Sequence, residues 1–193
     1  MQQDSIDLNR CPWCGTDPLY VAYHDKEWGV PVHDDKVLFE FIVLEGAQAG
    51  LSWITVLRKR ENYRIALDGF DFHKISQYDE ADINRLMNNA GIVRNRLKIE
   101  SCIKNAKAAL KIIEEFGSLD TYFWSFVNSS PIKNSPKTMT DVPVSTNISD
   151  ALSKDLKKRG FKFVGSTIIY AFMQAVGMVD DHLLNCHKYS SVR

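Results

Sequence analysis

The residue with the most unusual chemical setting in this sequence is a glutamate on the apolar stripe of a predicted helix. Asp34 or Asp35 can cap a helix whose stripe includes Leu38 and Phe41, and Glu45 continues the same spacing. A carboxylate in a core position loses its hydration unless it is paired, bound or protonated. Two interpretations stay open. The carboxylate either reaches solvent at the helix end, or lies in a dry pocket to bind a polar or cationic ligand or assist proton transfer.

Five large aromatic side chains occur in the part of the sequence that contains Glu45. Aromatic residues usually belong to the core, and that interpretation stays open here. An aromatic pocket with one carboxylate is also what a flat cation or a nucleobase requires. The rings supply stacking and cation–π attraction, and the carboxylate supplies a hydrogen-bonding anion. The five residues are Trp13, Tyr20, Tyr23, Trp28 and Trp53.

Pairs of cysteine and histidine residues lie near both ends of the chain. Cys11 and His24 precede the glutamate, whereas His182 and Cys186 follow it at i, i+4 spacing, which places both on one face if the segment is helical. Two thiolates and two imidazoles complete a tetrahedral zinc site without an open position, which is the structural kind. Each pair alone is weak support, and simple burial of the cysteines stays an alternative. Further candidate ligands are Cys14 and His187.

Residues 86–99, which read LMNNAGIVRNRLKI, fit two helices joined by a tight turn at Gly91. Backbone N–H groups at such a turn and helix start can hold a phosphate, and Arg94 and Arg96 would add attraction that is independent of base sequence. This spacing is typical of a helix-hairpin-helix motif. Ordinary helical corners have the same pattern, so the motif alone only suggests a nucleic-acid contact.

The composition limits the classes of protein that this chain can be. With 193 residues, of which 45% are hydrophobic and 25% charged, it fits a globular domain and excludes a disordered, collagen-like or disulfide-scaffold chain. Its 24 basic and 24 acidic residues cancel, which argues mildly against nucleic acid as a partner, although basic residues cluster in 94–111 and 154–162. The longest apolar run, 168–173, is far too short to cross a bilayer, and the polar N-terminus has no signal core. We therefore expect a cytoplasmic protein without membrane contact.

Helical periodicity runs through most of the sequence and strand signals are weak, so the predicted fold class is all-α. The clearest helix begins near Arg94 and stops at Gly117. Residues 128–146, which include three prolines, form the one long loop; it either divides the chain into two helical lobes or is a surface excursion. We expect residues 1–9 to be a flexible tail and residues 10–193 a single all-α domain. Shorter helices are predicted at 80–88, 119–127, 149–159 and 166–176.

Several segments taken together are similar to one known family. The chain contains, in order, RCPW, DPLYVAYHDKEWGVP, LEGAQAGLSWITVLRKRENYR, NAGIVRNRLKI, FWSFVN, LSKDLKKRGFKFVG and DDHLLNC. These blocks resemble the signature blocks of the DNA-3-methyladenine glycosylase I family over residues 10 to about 187. The departures are Cys14, close to Cys11, and His187, next to Cys186, which bear on which side chains complete the metal shell.

The resemblance implies a bilobal, all-helical glycosylase of the helix-hairpin-helix superfamily. Such an enzyme removes 3-methyladenine from alkylated double-stranded DNA by hydrolysing the bond between base and sugar, and releases the free base as product. We expect a monofunctional enzyme without strand-cleaving lyase activity, because no lysine is placed to form an imine, and we expect a monomer.

The resemblance also implies roles for individual residues. Glu45 would contact the purine edge, Tyr23 and Trp53 would bracket the base, and Trp13, Tyr20 and Trp28 would line the pocket. Gln48, Gly50 and Leu51 fall where the family places its intercalating loop, and the hairpin around Gly91, with Arg94 and Arg96, would contact the DNA backbone. One structural Zn²⁺ per chain would join the chain ends through Cys11, His24, His182 and Cys186.

Overall fold

A computed structural model describes residues 8–189, and residues 1–7 and 190–193 lie outside the described residues. The predicted tail at 1–9 and the end of the predicted domain at 193 therefore fall partly outside that range and stay predictions. Between residues 8 and 189 no helix is long and apolar enough to span a membrane.

The described chain is mainly helical, as predicted. It has ten α-helices, short 3-10 turns and one pair of two-residue strands. The helices are α1 (Pro18–Lys26), α2 (Asp35–Gln48), α3 (Trp53–Leu57), α4 (Arg60–Ala66), α5 (Phe72–Ile75), α6 (Glu80–Met87), α7 (Arg96–Phe116), α8 (Leu119–Ser125), α9 (Asn147–Lys158) and α10 (Ser166–Ala175). The strands are β1 (Ile132–Lys133) and β2 (Val179–Asp180).

Helix α2 is the central element of the core. It begins at Asp34, whose carboxylate accepts a hydrogen bond from the Val37 N–H at 2.9 Å, so Asp34 rather than Asp35 is the cap. Residues 38–47 are all buried, because α2 packs against α3, α7, α8 and α10. A helix that is covered on all sides also buries its polar residues. Glu45 thus enters the interior from the last turns of α2.

Helix α7 follows the predicted boundaries closely. The Asn95 side chain accepts from the Lys98 N–H at 3.1 Å and caps the start of the helix, and Gly117, with a φ of 87°, ends it in the left-handed region. Its buried face includes Ile99 and Cys102 and contacts α2, α5, α6 and α8. The N-terminus of α7 therefore lies between the turn after α6 and the end of α2.

The long loop at 128–146 contains a short strand that the sequence analysis did not predict. Strand β1 pairs in parallel with β2, with Ile132 opposite Val179 and Lys133 opposite Asp180. The pairing continues when the Leu184 N–H donates to the Pro136 carbonyl at 2.9 Å. The loop is thus packed against the C-terminal segment.

The two ends of the described chain meet. The His187 N–H donates to the Asn9 carbonyl at 2.8 Å, and the Asn9 side chain donates to the Asn185 carbonyl at 2.6 Å. These contacts place Cys11 next to the C-terminal segment, where the Leu183 N–H lies 3.5 Å from its sulfur. The juxtaposition brings the two predicted ligand pairs together.

Candidate active site

Glu45 is buried, so the interpretation in which its carboxylate reaches solvent is wrong. The residue is 4% exposed, and its Oε2 has no hydrogen-bond partner among the described residues. Loss of hydration raises the pKa of Glu45 to about 8, because burial penalises the charged form. Near neutral pH the side chain is mainly a neutral acid that becomes an anion readily when a positive charge approaches.

The five aromatic residues lie together around Glu45. They line a cavity of about 120 Å³, so of the two interpretations that the sequence left open, core and pocket, the structure favours the pocket. The Trp13 ring lies 5.0 Å from both the Tyr20 and the Trp28 ring, so these side chains form a continuous wall. The complete lining is Trp13, Tyr20, Tyr23, Trp28, Glu45, Gln48, Trp53, Ala171 and Gln174.

Tyr23 and Trp53, the expected brackets, contact each other. Their ring centroids are 5.5 Å apart and their planes are tilted by 49°. A base lying flat between two rings needs them about 7 Å apart, because each stacked layer takes about 3.5 Å. As these side chains stand, they present two adjoining walls to a base rather than two parallel faces.

Polar atoms without partners are concentrated at this cavity. Buried polar groups are nearly always hydrogen-bonded, so each exception is informative. Within residues 8–189 four buried side-chain atoms lack a partner, and three belong to cavity residues: Glu45 Oε2, Trp13 Nε1 and Trp53 Nε1. Two indole N–H donors and one carboxyl oxygen are thus left for a polar ligand among the aromatic faces.

The segment after α2 borders the opening of the cavity. Gln48 lines both the cavity and a neighbouring groove of about 260 Å³, and Gly50 and Leu51 line that groove as well. Leu51 is 41% exposed although it is a large apolar residue. Gly50 has a φ of 78°, in the left-handed region that favours glycine. The three residues of the predicted DNA loop therefore stand at the mouth of the site.

Lys98 holds this segment in place, and the sequence analysis missed it. Its ammonium group donates to the carbonyls of Ala47 and Ala49, at 2.8 and 2.7 Å, across the gap between α7 and the end of α2. Ala47 lies in the last turn of α2, where carbonyls lack a partner within the helix, and Ala49 directly follows the helix. One signal was present: a lysine in the first turn of a helix is unfavourable for the helix dipole and needs another reason.

The segment in which a hairpin was predicted connects α6, which ends at Met87, to α7, which begins at Arg96. A Cβ at Gly91 would lie 3.0 Å from the Asn62 side chain, so the close approach to α4 favours glycine there. Arg94 is exposed, as a backbone contact requires. Arg96 is exposed too but pairs with Glu80 and Glu100 at 2.7 and 2.8 Å, so it joins α6 to α7.

Three of the four predicted metal ligands form one buried cluster. The ligand atoms of Cys11, His24 and Cys186 all lie within 4.8 Å of one another. The other ring nitrogen of His24 is 2.8 Å from an Asp25 oxygen, the orientation that metal-bound histidines usually have. These residues therefore form a potential metal-binding group.

His182 lies next to this cluster and has the expected features of a fourth ligand. Its Nε2 is the fourth buried polar atom without a partner among the described residues, while its Nδ1 is 2.7 Å from Asp180. Its ring centroid is 5.2 Å from that of His24. The alternative ligands have other contacts: the Cys14 thiol donates to the Cys11 carbonyl at 3.2 Å, and His187 Nε2 lies 3.5 Å from Asp25. The donor set fits a tetrahedral site for a thiophilic metal.

Gln174 lines the cavity, and its role was not predicted from the sequence. It comes from α10, half-buried, and its side-chain nitrogen donates to Asp181 at 2.7 Å. The only signal was a polar residue in an otherwise apolar predicted helix, and such residues are common at surfaces.

Comparison with known proteins agrees with this geometry. Residues 13–189 match the family model described as methyladenine glycosylase. DNA-3-methyladenine glycosylase 1 of Escherichia coli (strain K12) is 54% identical over 182 residues, which cover 94% of this chain and 97% of that protein. The crystal structure of a 3-methyladenine DNA glycosylase I with 53% identity superposes with a TM-score of 0.91 over 93% of this chain and 98% of the other. The Staphylococcus aureus enzyme, studied for its recognition of 3-methyladenine, gives 0.92 at 39% identity, over 94% and 97%. The chain belongs to the methyladenine glycosylase family.

Proposed function

We propose that this protein is a DNA base-excision repair glycosylase that hydrolyses the N-glycosidic bond of 3-methyladenine in alkylated double-stranded DNA. The observation that carries the proposal is the buried Glu45 carboxyl, whose Oε2 has no partner inside an aromatic cavity. Family membership and the named relatives support the same reaction.

The chemistry of the substrate fits this cavity. Methylation at N3 makes the purine positively charged and a good leaving group, so its departure needs no strong acid. The enzyme has to extrude the nucleotide from the helix, hold the cationic base and admit water to the sugar carbon. Aromatic faces attract a flat cation, and selectivity then comes from binding the charged base more strongly than a neutral one.

Glu45 makes this selection through its protonation state. In the free protein burial raises its pKa to about 8, so an uncharged adenine meets a neutral acid. A cationic base stabilises the anion, and the proton leaves to solvent. The full charge–charge attraction is therefore available only to an alkylated base.

The remaining predicted residues take supporting roles in this proposal. Tyr23 and Trp53 contact the base as adjoining walls, and Trp13, Tyr20 and Trp28 complete the pocket. Gln48, Gly50 and Leu51 enter the base stack where the nucleotide leaves it. The turn at Gly91 with Arg94 contacts the phosphate backbone as a helix-hairpin-helix motif of a bilobal fold, and Arg96 reaches a phosphate only by exchanging its pairs with Glu80 and Glu100.

We also propose that Cys11, His24, His182 and Cys186 hold one structural Zn²⁺. With four protein ligands the metal has no open position, so it supplies cross-linking of the chain ends and no reaction chemistry. The unpartnered His182 Nε2 supports this assignment over one with Cys14 or His187. Thiolate ligands fit a reducing compartment, and we propose a cytoplasmic monomer with DNA as its partner.

The test is incubation of the protein with methylated DNA, followed by chromatography of the released bases. We expect free 3-methyladenine from the wild type, far less from Glu45→Gln, and no strand nicking at the abasic sites that result. DNA binding without base release would instead identify a binding module and reject the proposed reaction. Strand nicking by the pure protein would reject the monofunctional assignment.

A further inference from the structure

The α10 wall of the cavity contains an amide whose orientation is fixed by a buried carboxylate. Gln174 Nε2 donates to Asp181 Oδ2 at 2.7 Å. The same oxygen accepts from the Tyr170 hydroxyl at 2.7 Å, and the other Asp181 oxygen accepts from the Asn134 amide at 2.7 Å. Asp181 is 1% exposed, so this carboxylate depends on its three donors for the hydrogen bonds that water would otherwise supply.

This network determines which end of the Gln174 amide is available to a ligand. Turning the amide over would point its carbonyl at Asp181, which would lose a donor and gain a second acceptor at close range. One N–H of the amide is thus held at Asp181, and the side-chain carbonyl oxygen is left to accept from a ligand in the cavity that Gln174 lines. The backbone at this position is fixed as well, because the Gly29 N–H donates to the main-chain carbonyl of Gln174 at 3.0 Å.

Gln174 and Glu45, the latter once a cationic base has ionised it, therefore offer acceptors from two different helices to one cavity. The 6-position distinguishes the two purines chemically: adenine has an amino group there, which donates two hydrogen bonds, and guanine has an oxygen, which only accepts. A cavity with two acceptors pairs with the amino group. An oxo group in the same place would leave both acceptors unpaired and facing a third.

We propose that Gln174 is a specificity-determining residue, whose carbonyl accepts a hydrogen bond from the 6-amino group of the alkylated purine and disfavours 6-oxo purines. This proposal rests on the proposed function, because it concerns the base that the same cavity binds. Asp181 acts through Gln174 as a positioning residue, since it fixes the amide without lining the base cavity itself.

The test compares two bases that differ only at position 6. Binding of free 3-methyladenine and of 3-methylhypoxanthine is measured by calorimetry for the wild type, Gln174→Met and Gln174→Leu. Both variants keep the apolar stem of the side chain and remove the acceptor. Gln77→Met is the control, because Gln77 is exposed and lies outside the cavity. Release of 3-methyladenine and 3-methylguanine from methylated DNA is measured with the same four proteins.

We expect the preference for 3-methyladenine over 3-methylhypoxanthine to fall about tenfold in both Gln174 variants, as for the loss of one good hydrogen bond. It should not change in Gln77→Met. Equal weakening of both bases, or an unchanged ratio in variants that melt like the wild type, overturns the proposal. The proposed function is judged separately, since it fails only if the wild type releases no 3-methyladenine.

Discussion

The cavity around Glu45 and the cluster for which we propose a metal lie side by side but differ in how their polar side chains are oriented. In the cluster, His24 and His182 each have one ring nitrogen fixed by an aspartate, at 2.8 and 2.7 Å, and the Leu183 N–H reaches the Cys11 sulfur at 3.5 Å. In the cavity, Glu45 Oε2 has no partner among the described residues. His182 Nε2 also lacks a partner in the described chain, but its ring is oriented by Asp180 through the other nitrogen, which suits a permanent ligand, whereas Glu45 Oε2 suits a ligand that comes and goes.

The two regions are in direct contact through tryptophan rings. Trp28 lies 4.6 Å from the His182 ring, and Trp13 lies 5.3 Å from the His24 ring, measured between centroids. Gly29 allows this approach, because a Cβ there would lie 2.8 Å from His182 Cε1. The cluster therefore fixes one wall of the cavity. We therefore expect a substitution in the cluster to affect both regions, and a substitution of Glu45 to affect the cavity alone.

The largest effect is expected from loss of a metal ligand. Cys186→Ser should lower the free energy of unfolding by more than about 4 kcal/mol, because folding then loses its metal cross-link. Thermal unfolding with and without a chelator measures this, and elemental analysis should give one zinc per wild-type chain. Cys102→Ser is the matched control, since Cys102 is buried in α7 away from the cluster. Equal losses in the two variants would mean that burial alone, without a metal, explains the cysteines.

The second effect is expected at Glu45, where a substitution should raise the free energy of unfolding at pH 8 instead of lowering it. Because its pKa rises to about 8 on folding from an ordinary 4.5, the folded chain binds more protons than the unfolded chain between these pH values. The contribution of Glu45 to the free energy of unfolding should therefore fall as pH rises from about 4.5 to 8, by at most about 1.4 kcal/mol per pH unit. Glu45→Gln removes this fall, so at pH 8 it should be more stable than the wild type while releasing 3-methyladenine about a hundredfold more slowly.

Urea unfolding at pH 5 and pH 8 checks the sign. Glu40→Gln is the matched control on the same helix, because Glu40 is also buried but pairs with Arg64 at 2.7 Å. That substitution should destabilise the fold, since it removes the partner of a cation. A Glu45→Gln variant that is less stable than the wild type at pH 8 would show that the carboxyl has a structural partner after all.

Replacement of the aspartate that orients His182 should have a smaller effect. Asp180→Asn leaves all four proposed ligands in place but replaces the carboxylate that orients His182. We expect metal affinity to fall about 10- to 100-fold, as for other carboxylates behind metal-bound histidines. Competition with a chromophoric chelator measures it. Unchanged affinity would mean that His182 stands beside the metal without binding it.

The sequence predicted the residues around Glu45 better than the residues that support them. Glu45 and the aromatic residues follow from helical spacing and from their proximity in the chain, which are local properties. Gln174 and Lys98 could not be predicted, because their roles arise from partners that only the fold brings near, such as Ala47 and Ala49 for Lys98. Strand β1 was missed for the same reason, since its two residues gain a strand conformation only by pairing with β2. The contact between Tyr23 and Trp53 likewise depends on packing.

The smallest effect is expected at Lys98. Its ammonium group binds the segment at the mouth of the cavity through the carbonyls of Ala47 and Ala49. Lys98→Met keeps the long apolar stem but frees the carbonyls of Ala47 and Ala49, so the segment carrying Gln48 and Leu51 loses its tie to α7. Glu45 lies earlier in α2, within the buried part of the helix. Release of 3-methyladenine from DNA should therefore fall about tenfold, since a displaced loop costs orientation, while free 3-methyladenine binds as in the wild type.

Lys98→Arg, which keeps the charge and can still donate, should recover part of the activity, and Lys107→Met, on the exposed face of the same helix, should behave as the wild type. Single-turnover release assays on methylated DNA and calorimetry with the free base separate the two effects. If Lys98→Met lowered base release and free-base binding equally, the lysine would be stabilising the whole cavity. The segment at the cavity mouth would then be as rigidly held as the wall next to the cluster.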